Sequence, residues 1–418
     1  MWCATVLSVL LVPSFAAERQ SMRPVQADQG RTWIVDASNG AGADFTDIEP
    51  AVDAAADGDV VLVRAGTYSS FGIQAKGLRV VAASATPMVQ GSIGLRPVVA
   101  IRDLAAQQSV WIRGLQILEA TENGYPGVAI TDCAGTVHLE NVSISHASRS
   151  ALHASVDARA ARLVTVSACV FGSTTAADRS TFAVSASSLR GRYAGGIDVF
   201  TWEALPALHL VRSRATVALT RLEGGDGINA TFLPRPPAPA IVVDASVLAI
   251  TGDAATVITV GRDPMQSGFG IPAIQGRRGE SIVADPTMRF VTLNGAPPVG
   301  KSATGSLTLR RVVGLEAHTA PTGDALSGQI VSPTGDIVAL LVGGPMLPLP
   351  TPIGDLFVER WLVPVAGSQD ATEHFPFRVP VPNLTTLQRM PIALQAVNLY
   401  AASGALELSN PVVATVFP

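Results

Sequence analysis

The chain has 418 residues, 48% of them hydrophobic and only 15% charged. Its formal net charge is −4 and it has no cluster of Lys and Arg, which excludes nucleic acid as a partner. After the first twenty residues no uninterrupted apolar run reaches about 18 residues, which excludes a transmembrane helix, and the length suits two domains or one long repetitive domain with a cap.

Residues 1–17 have the features of an export signal. Positions 3–15 form a short apolar run of the length of a signal-peptide core, although no Lys or Arg precedes it. Ser14 and Ala16 place small residues where signal peptidase reads the chain. The sequence therefore predicts a signal peptide and a secreted or cell-surface location.

Residues 33–68 predict a strand, a helix and a second strand. Trp-Ile-Val-Asp at 33–36 is the first strand, and Val-Val-Leu-Val at 60–63 follows the helix. Thr46 and Glu49 have the spacing of a capping box. Apolar residues fall at helical spacing on one face, at Ile48, Ala51, Val52 and Ala55. We expect this amphipathic helix to cover the open end of a repetitive domain.

Segments with strand periodicity then recur at a fixed interval. Residues 110–117, 137–144 and 164–171 each show near-alternating apolar residues, and each begins 27 residues after the one before. A second strand precedes two of them, at 99–103 and 128–132. Short strands that recur about every 20 to 30 residues are typical of a parallel β-solenoid, in which stacked turns share one core.

The segment from residue 44 to residue 68 carries a family resemblance. It reads Asp44-Phe-Thr-Asp-Ile-Glu-Pro-Ala-Val-Asp-Ala-Ala-Ala-Asp-Gly-Asp59, then Val60-Val-Leu-Val-Arg-Ala-Gly-Thr-Tyr68. This segment is similar to the N-terminal segment of the pectin-lyase-like superfamily, and the resemblance covers about residues 32–285. It implies a right-handed parallel β-helix. It implies no single activity, because the superfamily includes lyases, hydrolases, esterases, adhesins and proteins without catalysis.

The pattern changes after residues 296–300, where Ala-Pro-Pro-Val-Gly indicates a linker. Beyond it, apolar strands alternate with Pro-rich turns at the spacing of an antiparallel β-sandwich. The predicted strands are 306–309, 336–342, 356–363, 375–381, 392–400 and 412–417. We therefore predict an all-β chain, with a right-handed parallel β-helix over 32–295 and a smaller antiparallel β-sandwich over 301–418. The latter is similar to C-terminal modules of secreted bacterial β-helix proteins.

Acidic residues at matching positions of successive turns form a candidate metal site. Asp103 and Asp132 follow equivalent strands, and Asp157 is a third candidate. Equivalent positions of a parallel β-helix stack about 4.8 Å apart, so these carboxylates could bind Ca²⁺ between them. The resemblance agrees, because polysaccharide lyases of the superfamily hold calcium with clustered acids. We favour the alternative that Asp suits the turn after each strand, where it bonds its own backbone.

Asp178 and Asp198 form a candidate catalytic pair. Gly195-Gly-Ile-Asp-Val-Phe200 resembles the pectin methylesterase stretch that carries an Asp nucleophile, and Asp178 lies close to where that family places its acid/base Asp. The sequence departs from the family at Ala177, where the family has Gln. No clear oxyanion donor or substrate-binding Arg follows, so the pair is the weaker interpretation.

Cys133 and Cys169 lie near predicted strands, 36 residues apart. Small buried apolar residues are the favoured role for both, because free cysteine is among the most buried residue types. A disulfide between them is the alternative. No C-x-x-C motif suggests a zinc site.

The sequence alone favours a non-catalytic β-helix protein with a structural, adhesive or polysaccharide-binding role and no cofactor. The regular wall of a β-helix offers a long shallow surface that suits an extended glycan. Five arginines could line a groove for acidic sugars, although solvent-facing positions are the default: Arg149, Arg159, Arg162, Arg190 and Arg192. The alternative is a carbohydrate-active enzyme, either a pectin methylesterase-like esterase or a calcium-dependent polysaccharide lyase. It would use Asp178 and Asp198, or the stacked acids Asp103, Asp132 and Asp157. No oligomeric state follows from the sequence.

Overall fold

The computed structural model is an all-β molecule with one short helix. It describes residues 30–83, 86–91, 96–119, 125–146, 154–197, 200–228, 235–264, 270–384 and 391–417. The predicted signal peptide at 1–17 lies outside these ranges. No helix within them has the length and apolar character that a bilayer-spanning segment needs.

The larger part of the chain is a parallel β-helix, as the sequence predicts. Each complete rung contributes a first, a second and a third strand, and each strand pairs in parallel with its equivalent in the next rung. We call the turn between the first and the second strand of a rung the first corner. Two long strands, Val128–Glu140 and Val156–Ser167, run through it, and each supplies both a first and a second strand. Parallel strands of one sheet are connected in a right-handed sense as a rule, so the coil is right-handed.

The first, second and third strands of successive rungs stack on one another, and we call these three stacks the first, second and third sheets of the β-helix. The remaining first strands are Phe71–Gln74, Val99–Arg102, Thr174–Ala177, Leu208–Val211, Ile241–Asp244, Ile274–Arg278 and Val299–Gly300. The remaining second strands are Thr32–Val35, Val60–Val63, Arg79–Ala82, Ser109–Arg113, Thr181–Ser185, Arg214–Ala218, Val247–Thr251, Ser281–Ala284 and Ser306–Leu309. The third strands are Thr67–Ser69, Met88–Gln90, Gln116–Glu119, Ser143–His146, Val170–Phe171, Ser188–Arg190, Arg221–Glu223, Val257–Thr259 and Arg289–Val291.

Inward side chains stack in columns that form one continuous core. Val110, Val137, Val164 and Phe182 occupy the same position in four successive rungs, and all are buried. A single rung would leave this face in water, at a cost of about 1.5–3 kcal/mol for each large apolar side chain. Stacking therefore stabilises every rung through its neighbours.

The helix Ile48–Ala54 covers the N-terminal end of the stack, and its residues Ile48 and Val52 are buried in the same core. The predicted capping box does not form. The N-cap is Asp47, whose carboxylate accepts from the backbone N–H of Ile48 at 2.7 Å. Glu49 instead accepts from the N–H of Gly72 at 2.7 Å, because its side chain turns toward the next rung.

The strand Ser306–Leu309 pairs in parallel with Ser281–Ala284. Val299–Gly300 likewise pairs with Ile274–Arg278. The sequence analysis assigned Ser306–Leu309 to the antiparallel module and 296–300 to a linker. Both strands lie instead in the last rung of the parallel stack, since Ile282 and Leu307 continue the inward column.

The C-terminal part consists of two sheets that share a second core, and they are antiparallel except for the parallel pair of Ala320–Pro321 with Val412–Phe417. The smaller sheet contains Gly314–His318, Ala325–Val331 and His374–Pro380. The larger contains Ala320–Pro321, Ile337–Thr351, Gly354–Ser368, Pro391–Leu399, Leu406–Leu408 and Val412–Phe417. Leu315 and Ile330 from one sheet pack with Leu340 and Leu394 from the other, which gives a sandwich.

The sandwich packs against the outer face of the second sheet of the β-helix. The outward side chains of Trp111 and His138 are each only 2% exposed there. Polar contacts join the two parts. Arg214 forms an ion pair with Asp355, and Thr251 Oγ1 donates to the carbonyl of Val312 at 2.6 Å.

Cys133 and Cys169 are free, buried thiols, which agrees with the favoured sequence interpretation and not with the disulfide alternative. Burial raises the pKa of the Cys169 thiol to about 12 and also raises the pKa of Cys133. Both side chains pack among apolar residues of the β-helix core.

Candidate functional site

The first corner of the β-helix holds most of the acids singled out from the sequence. In eight successive rungs the chain turns there at a residue with a positive φ. These residues are Ala75, Asp103, Asp132, Ala160, Asp178, Arg212, Ala245 and Gly279, and Arg179, next to Asp178, also has a positive φ. Asp and Asn tolerate this left-handed conformation better than other residues with a side chain.

Asp103 and Asp132 occupy equivalent positions in successive rungs, with φ of 59° and 53°. Both are exposed, and Gln74 Nε2 donates to Asp103 Oδ2 at 2.8 Å. Asp157 does not continue this column. It lies within a strand, beside Ala129 of the preceding rung, because this rung reaches its turn only at Ala160.

No group of three or more His, Cys, Asp or Glu side chains within the described ranges could hold a metal ion. Asp157 forms an ion pair with Arg159 at 3.0 Å. Asp178 forms one with Arg212, the next residue in the first-corner column. The positive φ of Asp103, Asp132 and Asp178 suits the turn role, and calcium binding by Asp103, Asp132 and Asp157 stays a prediction.

The structure describes one of the two catalytic candidates, Asp178, and the strands next to the other. Asp178 lies at the first corner. Asp198 lies outside the described residues. The strands that flank it, Gly195–Ile197 and Phe200–Trp202, form an antiparallel hairpin in the loop that leaves the third strand Ser188–Arg190.

A cavity of 560 Å³ opens beside the third sheet, at the loops that leave the third strands. We call it the third-sheet cleft. The residues that define it are Gly172, Arg190, Arg192, Tyr193, Asp226, Ile144 and Ile228.

A missing side chain creates the opening of the third-sheet cleft. Gly172, Arg190 and Glu223 occupy equivalent positions in three successive rungs of the third sheet, on its outward face. Gly172 has no side chain to occupy the space beside Arg190. The column is therefore interrupted at this rung, and the Arg190 side chain, 55% exposed, borders the gap.

Close backbone packing fixes the floor of the cleft. A Cβ atom on Gly225 would lie 1.6 Å from the carbonyl oxygen of Arg192, so only glycine fits there. The N–H of Leu205 donates to that same carbonyl at 2.8 Å, and the N–H of Ala194 donates to the carbonyl of Asp226 at 2.7 Å. Loops from different rungs thus hold Arg192, Tyr193 and Asp226 in fixed positions.

The charges of the cleft are arranged around two guanidinium groups. Arg190 forms ion pairs with Glu223 at 3.5 Å and with Asp226 at 3.3 Å. Asp226 is itself held by the N–H of Arg262 at 2.8 Å. Arg192 is only 6% exposed, and burial lowers the pKa of its guanidinium, an effect that the negative charge of Glu119 opposes.

This arrangement can bind an anion. Arginine offers planar donors that match carboxylate and sulfate oxygens, and the neighbouring carboxylates fix the orientation of Arg190. Of the five arginines that the sequence analysis named as possible groove residues, Arg190 and Arg192 line this cleft, whereas Arg159 and Arg162 lie elsewhere. The sequence analysis missed Gly172, Tyr193 and Asp226. The glycine-rich stretches around 191–196 and 224–227 were the available signal.

The comparisons with known proteins are distant. The chain matches no family model, and no curated protein matches it. Full-length tailspike protein 2 of the Escherichia coli O157:H7 bacteriophage CAB120 is 8% identical with a TM-score of 0.40, over 86% of this chain and 65% of that one. Pantoea stewartii WceF, a glycan biofilm modifying enzyme with a tailspike-like parallel β-helix fold, is 10% identical with a TM-score of 0.22, over 86% and 51%.

The chain thus spans about two thirds and about half of the lengths of these two structures. Similarity at this level carries no conclusion about the activity of the present chain, and the fold stands on its own strand pairings.

Proposed function

We propose that this protein is a secreted or cell-surface β-helix protein that binds an acidic polysaccharide in the third-sheet cleft. The observation that supports this most directly is the pair Arg190 and Arg192 at a cavity that Gly172 opens. Binding sites are typically concave, with a few fixed polar groups that orient the ligand. A polymer can continue from the cleft along the side of the stacked rungs.

The ligand is acidic because the donors in the cleft are cationic. Carboxylate or sulfate groups on a sugar would accept from Arg190, and the phenol of Tyr193 borders the same space. Glu223 and Asp226 are the ion-pair partners of Arg190. The role we propose for them is to hold Arg190 in place.

Affinity gel electrophoresis with polygalacturonate and with alginate tests this function. Arg190→Ala is expected to weaken binding about tenfold or more, because a hydrogen bond to a charged group contributes about 1.5–3 kcal/mol. Arg159→Ala is the matched control, since Arg159 is equally exposed and also ion-paired but lies outside the cleft. Equal binding by the two variants would contradict the proposal.

The enzymatic alternative is an esterase or lyase that uses Asp178 and Asp198. It predicts methanol release from methylesterified pectin, or unsaturated uronide from polygalacturonate with calcium, and loss of either in Asp198→Ala. Such activity would replace the non-catalytic proposal. We favour binding without catalysis, because Asp178 is engaged with Arg212 at the first corner.

A further inference from the structure

A second concavity lies on the side of the β-helix that faces the hairpin of the sandwich formed by Ile337–Thr351 and Gly354–Ser368. It comprises two adjacent cavities of 430 and 240 Å³, both lined by Gln107, Gln108 and Ser109. We call it the corner groove.

The corner groove is elongated along the axis of the β-helix. Its floor comes from five successive rungs, at Gly58, Gly77, Ser109, Thr136 and Arg162. Equivalent positions lie about 4.8 Å apart, so the groove is roughly 19 Å long. This length suits a chain of several units better than a compact small molecule.

The two walls of the corner groove differ in chemistry. The β-helix side, which includes the floor, presents Gln107, Ser109 and Arg162. The hairpin side presents the apolar run 345–349 and Glu359. Among the residues that the structure describes, the side chains of Gln107, Arg162 and Glu359 make no hydrogen bond or ion pair. These polar groups are therefore available to a ligand.

One side chain fixes the floor rather than facing a ligand. Gln108 Nε2 donates to Asp57 Oδ2 at 3.0 Å and to the carbonyl of Ala75 at 2.9 Å, while its Oε1 accepts from the N–H of Ala105 at 2.8 Å. All the hydrogen-bonding atoms of the Gln108 amide are thus engaged in joining three rungs. The floor of the groove is built before any ligand arrives.

The formal charges of the corner groove cancel. Asp57 and Glu359 are matched by Arg79 and Arg162. An ionic ligand would leave its own charge without a net partner, which costs free energy on burial. The groove is therefore complementary to an uncharged polymer.

We propose that the corner groove binds an extended neutral polysaccharide. Sugar rings have hydroxyl groups at their edges and C–H groups on their faces. The hydroxyl groups fit the free amide, hydroxyl and carboxylate groups of the groove, and the C–H faces fit the wall at 345–349. This site goes beyond the proposed function, because it lies elsewhere on the molecule and takes a ligand of different charge.

Affinity electrophoresis of the full chain in gels that contain dextran, laminarin or xylan tests the proposal. At least one polymer is expected to retard the protein. Gln107→Ala is expected to weaken that binding about tenfold, since one lost hydrogen bond corresponds to about that factor. Ser109→Trp, which fills the groove at an exposed position, is expected to abolish it. Gln90→Ala, an exposed Gln on the third sheet, is the control and is expected to bind normally.

The proposal is overturned if none of the three polymers retards the protein, or if Gln107→Ala and Ser109→Trp bind as well as Gln90→Ala. A change of sedimentation in Ser109→Trp without any glycan retardation would also overturn it, by assigning the groove to a second copy of the chain. Binding of polygalacturonate and its loss in Arg190→Ala are measured on the same gels. Failure of either site is therefore seen independently of the other.

Discussion

Acid is expected to destabilise the protein through His138. The imidazole is only 2% exposed, on the face of the second sheet that the sandwich covers. It lies 4.7 Å from the ring of Trp111, and its nitrogens are hydrogen-bonded to Thr165 Oγ1 at 2.6 Å and Thr136 Oγ1 at 3.0 Å. Burial without a carboxylate partner lowers the pKa of His138 to about 3.

The direction of the pH dependence follows from the two states of the histidine. In the unfolded chain His138 has a pKa of about 6.5. Below that value the unfolded state binds a proton that the folded state does not. The free energy of unfolding therefore decreases as the pH is lowered from about 6.5 to about 3. One pKa unit corresponds to about 1.4 kcal/mol, so moving from pH 7.5 to pH 4.5 costs roughly 2.5 kcal/mol.

Urea unfolding at pH 7.5 and pH 4.5 measures this effect. His209 is also partly buried with a lowered pKa and contributes in the same direction, so the comparison needs a variant. In His138→Gln the loss of stability between the two pH values is expected to be smaller than in the wild type by roughly 2.5 kcal/mol. His318→Gln, at an exposed position, is the control. An equal loss in His138→Gln and the wild type would refute the reasoning.

Two further predictions concern the β-helix itself. Ala160 turns the first corner with φ of 49°, so Ala160→Gly is expected to raise the free energy of unfolding by about 1 kcal/mol. Ala158→Gly, two residues earlier in the same strand, is expected to lower it. Urea unfolding checks both signs. Cys133 and Cys169 are expected to resist a thiol reagent at pH 8 in the folded protein and to react in urea, because burial raises both pKa values. Rapid labelling of the folded protein would contradict that prediction.

The sequence predicted the repetitive part of the fold because inward positions follow one another at a fixed interval. Val110, Val137 and Val164 are in register as predicted. The interval then disappears although the register continues, since Val164 pairs with Phe182, only 18 residues later, and Phe182 pairs with Ala215, 33 residues later. Loops at the corners vary in length, while the strands between them keep their pairing.

Five of the six predicted C-terminal strands lie in the sandwich, and Ser306–Leu309 does not. An alternating apolar tetrapeptide suits a half-buried strand in either sheet type, so its composition alone could not place it. Only the pairing with Ser281–Ala284 decides the assignment.

The site was less accessible to sequence reasoning than the fold. Ser155-Val-Asp157 was aligned with Asp103 and Asp132 by spacing, but the rung before Ala160 is longer than that spacing assumed. The third-sheet cleft brings together Gly172, Arg192 and Asp226, which belong to three rungs. Their proximity depends on loops of unequal length, and no interval in the sequence shows it.

The most direct test of the account is a crystal structure of the protein soaked with an oligogalacturonate. The account predicts that the sugar occupies the third-sheet cleft, with one of its carboxylates within hydrogen-bond distance of the guanidinium of Arg190 or Arg192. An oligosaccharide bound at the first corner beside Asp178, or a cleft that stays empty at saturating ligand, would contradict it.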